Sequence, residues 1–156
     1  MSNSNINVKG FFRINIEEDG KIVGDSGWKE NQVTNLGFLN YLVKLLGGSS
    51  GSAQIGFVAL GTGGAPATDA VTLPGEISGS TQRKAVTFGS VNSTTAQFLA
   101  TFASDDSFLS GDSTLDNIGL YAATTTNDTL FAGNTYTGSS CGTNQNVNVT
   151  YQIRFS

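Results

Sequence analysis

The chain predicts a mainly β fold, an antiparallel two-sheet sandwich of jelly-roll type with one α-helix near residues 34–47, and three observations carry that expectation. Gly, Ser, Thr and Asn dominate the composition while charged residues make up only 13%, the balance of many short strands joined by turns. Apolar and polar residues alternate at period two in several stretches, about eight strands in all, with turn signals between them. Only TNLGFLNYLVKLLGG, from Thr34 to Gly48, has helical spacing. A closed barrel is the alternative arrangement.

The 156 residues suit a single domain, 1–156, with residues 1–5 as a flexible arm. Ten Phe, four Tyr and one Trp against a net charge of only −4 disfavour disorder and can fill a core without disulfides or a metal. Eight scattered basic residues argue against nucleic acid or an anionic membrane as partner. The apolar run of the helix is too short and interrupted to span a bilayer. MSNSNINVKG lacks a secretory pattern, so synthesis in a cytoplasm is expected.

In chain order, residues 6–17 alternate as a half-buried strand, with Ile6, Val8, Phe12, Ile14 and Ile16 on one face. An Asp19-Gly20 turn then returns the chain through Ile22 and Val23 as a hairpin. Phe11 breaks the polar face of the first strand and is a candidate partner contact. Trp28 reads as a core-edge anchor or as a sugar-stacking platform. In the helix, Thr34 or Asn35 caps the first turn, Gly47 stops it in a left-handed conformation, and Leu39 and Leu42 lie on the core stripe.

After the connector GGSSGSAQ, Ile55 to Leu60 is a strand buried on both faces. Gly61 to Glu76 is a long ordered loop over the surface. Its glycines lack the Lys-Ser or Lys-Thr of a phosphate loop. Arg83 to Gly89 and Thr95 to Ala103 are the next strands, with Phe88 inward in the first and Phe98, Ala100 and Phe102 on one face of the second. Leu115 to Ala122 and Thr129 to Ala132 follow across the turn ATTTND. The cleanest alternation closes the chain: Val147, Val149, Tyr151, Ile153 and Phe155. A strand so apolar is expected between neighbours.

The chemistry available is small. There is no His, and the one Cys, Cys141, reads as an incidental loop thiol in GSSCGTNQN without a base to activate it. Asp105, Asp106 and Asp112 lack the ligand spacing of a calcium loop. Nothing brings Glu76 and Asp116 together as a glycosidase pair. The expectation is therefore a binding or structural role, not an enzyme, with no catalytic residues, cofactor or metal.

Four short patterns then carry a resemblance: Trp28, Asn31, Val33, Thr34 and Asn35 leading into the helix; Ala59-Leu60-Gly61-Thr62-Gly63; Ile118-Gly119-Leu120-Tyr121; and Leu130-Phe131-Ala132. Together they resemble small virion proteins of tailed bacteriophages, which include capsid decoration (cement) proteins and tail or fibre components. Ile118 and Gly133 stand where similar sequences often carry an acidic and a basic residue. The resemblance implies a β-sandwich, homo-oligomeric assembly with a trimer as the leading case, the major capsid protein as partner, and a place on the capsid surface of the virion. The alternative is a tail, fibre or adhesin component that binds carbohydrate through Trp28, Tyr121 and Tyr136. Phe11, Arg13, Trp28 and Arg83 are the candidate interface residues, with Arg154 a further guanidinium for acidic surface.

Overall fold

The computed structural model describes residues 7–43, 47, 53–77, 83–124 and 128–156. These form β1 (Val8–Glu18), β2 (Lys21–Asp25), β3 (Lys29–Val33), a one-turn helix α1 (Asn35–Gly37) continued by a π turn (Phe38–Val43), β4 (Phe57–Gly61), β5 (Lys84–Ala85), β6 (Thr87–Asn92), β7 (Thr95–Phe102), β8 (Ser113–Tyr121), β9 (Ala132–Cys141) and β10 (Asn146–Phe155). All ladders are antiparallel, in the order β5-β4-β8-β9-β3-β1-β10-β7-β6, with β2 hydrogen-bonded to β1 beside this path. The two ends of that order, β5 and β6, are consecutive in the chain and separated by Val86 alone. The sheet is thus nearly closed and barrel-like. The mainly β, antiparallel expectation holds.

Two strands turn the corners. β3 pairs with β1 through Lys29, Glu30 and Asn31 and then with β9 through Gln32 and Val33. β5 pairs with β4 while β6 pairs with β7. β10, the strongest period-two pattern, runs between β1 and β7 along its length, as its five apolar residues require. Its Val147, Val149, Tyr151 and Ile153 join Phe12, Ile14 and Ile16 of β1, Phe98 and Phe102 of β7, and Ile118 and Leu120 of β8 in one core. Burying a side chain of this kind contributes about 1.5–3 kcal/mol.

Several expectations change. The helix of residues 34–47 is three α-helical residues followed by a π turn. Lys44, Leu45 and Leu46, with residues 48–52 of the connector, lie outside the described residues, as do residues 1–6 and Thr125 to Asn127 of the ATTTND turn. Thr34 is the cap, its hydroxyl accepting from Gly37 N at 2.9 Å and donating to Leu130 O at 2.5 Å. Gly37 is buried so closely against Phe131 that a Cβ there would stand 2.0 Å from Phe131 O, and only glycine fits. This close docking fixes the helix rotation, and the wider π turn shifts the apolar stripe: Tyr41 is buried, Leu42 is half-buried and Leu39 is 50% exposed. Leu39 is therefore not core. Tyr41 takes the inner place, its ring 5.0 Å from that of Phe131 and its hydroxyl donating to Thr129 O.

The strand expected at Thr129 to Ala132 begins only at Ala132 and runs ten residues as β9, taking in Gly138 to Cys141, which were expected as loop. Its small polar residues hide the alternation, and a bulge between Leu115 and Asn117 of its partner β8 breaks the register. Cys141 closes this strand and is fully buried, not a loop thiol; burial pushes the thiol up to about 11. Phe88 faces the same side as Phe98, 5.6 Å away between ring centres, yet remains 64% exposed, as all of β6 is exposed and the Phe88 ring lines an open apolar hollow beside the π turn.

Candidate functional site

The loop from Gly61 to Ile77 is the feature on which most polar chemistry converges. It lies across the outer face of β4 and β8, where Ala59, Leu73, Tyr121 and Leu130 make a second small core. Glycine at 119 makes room: a Cβ there would meet Leu130 Cδ1 at 2.6 Å and Leu73 Cδ1 at 3.3 Å. Gly133 similarly lies under Pro66. Asn117, fully buried, donates from Nδ2 to Gly64 O at 2.7 Å and Pro74 O at 2.8 Å, tying both limbs of the loop to β8.

The far limb is fastened by charge. Arg83 donates to Glu76 through Nε at 2.7 Å and Nη2 at 3.2 Å, donates to Ala123 O, and stands 3.7 Å from Asp128. Its guanidinium carbon is 3.4 Å from the centre of the Tyr121 ring, whose hydroxyl donates to Glu76 Oε2 and accepts from Leu73 N at 2.7 Å. Burial opposes charge on Arg83, but the Glu76 hydrogen bonds and charge outweigh it and raise its pKa. Burial also holds the Tyr121 hydroxyl well above the ordinary tyrosine range. A paired, hydrogen-bonded cluster of this kind fixes structure.

The four candidate interface residues separate. Arg83 is only 6% exposed, so the reading of it as a surface guanidinium is corrected: its partners are within the chain. Arg13 lies on the outer face of β1 and pairs with Asp25, which lowers the Asp25 carboxyl and raises Arg13. Phe11 and Trp28 come together on that same face around Arg154, whose guanidinium carbon is 4.1 Å from the Phe11 ring centre and 5.6 Å from that of Trp28. Trp28 is 43% exposed, whereas Tyr121 and Tyr136 are buried, so the three-aromatic sugar platform is not formed. Arg154 could be named from the sequence but its bracket could not, because Trp28 reaches it only through the β1–β3 and β1–β10 pairings.

The remaining candidates have partners of their own. Glu76 is held by Arg83, while Asp116 accepts from Gly64 N. Asp106 pairs with Lys84, which lowers its carboxyl, and also accepts from Ala103 N. Among the described residues no three His, Cys, Asp or Glu side chains converge to hold a metal ion, and no helix is long and apolar enough to cross a membrane. An apolar hollow of about 410 Å³ opens beside the π turn, lined by Tyr41, Leu42, Ile55, Phe88, Phe98 and Phe131 among others.

No protein-family model, curated protein or solved structure matches the chain. Within the fold, however, the four patterns that carry the virion-protein resemblance meet. Thr34 bonds to Leu130 and Phe131, Leu60 pairs with Ile118, Gly119 packs under Leu130, and Thr62 N donates to Gly75 O within the stapled loop. Ile118 faces the core and Gly133 is enclosed, which leaves neither place fit for a charge.

Proposed function

We propose that this chain is a non-catalytic structural protein of a tailed-phage virion, a capsid decoration protein that binds the major capsid lattice and strengthens it. The observation that carries the reading is that the patterned residues form one scaffold around Thr34, Gly119 and Leu130, holding a long loop against the barrel. The buried Arg83 and its half-buried partners Glu76 and Asp128 serve the same loop. The jelly-roll relation of the barrel, the homotrimer and the capsid-surface location belong to this proposal.

Such a protein works by spanning neighbouring capsomers, for which about 1,000 Å² or more of buried surface per site suffices. Oligomer symmetry matched to the lattice lets single weak contacts add by multivalency. The loop of residues 61–77 is the shell-facing element. Pinned by Asn117 and Arg83, it presents a preformed surface and loses little entropy on docking. Electron microscopy of intact particles is the test. Density for the subunit on the capsid lattice is expected; density only on the tail or its fibres would instead favour a tail component. Sedimentation is expected to give a trimer, and monomer alone in both free protein and dissociated particles contradicts the assembly.

A further inference from the structure

The outer face of β1, β10 and β7 holds an arrangement that the decoration role does not use. Outward side chains of β10, namely Asn148, Thr150, Gln152 and Arg154, follow one another along the strand. Gln152, only 8% exposed, accepts from Arg154 Nε at 3.0 Å and Nη2 at 2.8 Å and donates to Gln97 Oε1 at 2.8 Å. The guanidinium is thus locked in plane against Phe11, with the exposed Trp28 ring at its side. Beside Thr150 and Asn148 the face dips into a shallow depression of about 340 Å³, also lined by Thr87, Leu99 and Thr101. The strip from Arg154 to Asn148 is ~20 Å long at the strand rise.

Charge on this face is uneven: at the Asn148 end stands the carboxylate of Glu17, whose Oε2 accepts from Asn148 Nδ2 at 3.0 Å, and the cations lie toward the other end. Arg13 is paired with Asp25 and Lys9 with Glu30. Arg154 has no carboxylate within ion-pair distance among the described residues; its Nη1 edge remains for one. We propose that this strip is a binding site for a linear oligosaccharide bearing carboxylates, of the uronate type. Trp28 stacks on a sugar ring, Arg154 takes the carboxylate, and the Gln97 amide and Thr150 hydroxyl meet ring hydroxyls, while Thr101 and Asn148 are bonded to each other and Asn148 to Glu17. An acidic peptide fits less well: β1 and β10 are paired on both sides here, β7 is free of β6 only over Ala100 to Phe102, too short an edge to add a strand, and the depression is too shallow to specify side chains. The inference stands apart from the decoration reading and holds for a capsid or a tail protein alike.

Trp28 is the only tryptophan, so its fluorescence reports this site alone. The full chain is titrated with tetragalacturonate, with the same oligosaccharide methyl-esterified, and with a glutamate tetrapeptide. A saturable change with the uronate is expected, at least tenfold weaker with the ester and with Arg154→Gln. The ester comparison needs no variant and so survives a folding defect. Equal binding of the ester, tighter binding of the peptide, or no saturable change with the uronate overturns the proposal.

Discussion

Arg83 shows how one side chain can decide the state of the long loop of residues 61–77 in a chain with few charges. Its side chain is 2% exposed, and Glu76 and Asp128 beside it are only 11% exposed. Arg83→Met leaves these two carboxylates without their cation and is expected to cost about 3–5 kcal/mol in urea denaturation. Adding Glu76→Gln should recover part of that loss; strictly additive losses would show that the two groups are not coupled. Cys141 gives a second residue-scale expectation. Buried, with its thiol pushed up to about 11, it should react with an aromatic disulfide at pH 8 only slowly in the folded protein and at once in urea. The exposed pairs set the acid limb. Asp25 and Asp106 have folded pKa values below the unfolded one, so their contribution is present above about pH 4, the unfolded carboxylate value, and is lost as pH falls through the folded values. Melting temperature should fall between pH 5 and 2, and the fall should be shallower in Asp25→Asn.

At the scale of elements, close approaches matter more than propensity. A methyl group at 133 would lie 2.7 Å from Ile118 O and 3.1 Å from the Pro66 ring, so Gly133→Ala should cost about 1–3 kcal/mol and loosen the loop to limited proteolysis. Cleavage within residues 61–77 no faster than in the parent would mean that the seam does not hold the loop. The helix makes the same point. Leu39→Ala should cost under about 1 kcal/mol and Tyr41→Ala about 3–5 kcal/mol in thermal melts, because only Tyr41 reaches Phe131 and Thr129. Apolar spacing located this element but not its rotation, which is set by backbone contact between Gly37 and Phe131 across 94 positions of sequence. β1, β7, β8 and β10 were legible from alternation, since each has large apolar residues on its inner face, and β4 from its continuous apolar run. β9 was not, since Thr, Ser and Gly give alternation no contrast.

At the scale of the molecule, the strand order is nonlocal: β1 pairs with β10 and β3 with β9, so folding in the millisecond-to-second range is expected. This is also where sequence reading runs out. Period two says that strands exist and which face is apolar, but the corners at β3 and Val86 depend on pairings made across the chain. The site follows the same rule. Phe11 and Trp28 were visible as aromatics in polar surroundings and Arg154 as a guanidinium on a polar face, but only the β1–β10 and β1–β3 registers place them together. Arg83 looked like its neighbours in sequence and proved to be interior. The central claim is that the loop-stapled barrel cements a capsid, and it is tested most directly on particles assembled without the protein. They should keep genome and tail but rupture at lower temperature than complete particles, with strength restored by adding the protein back; full capsid strength combined with lost host adsorption would contradict the claim.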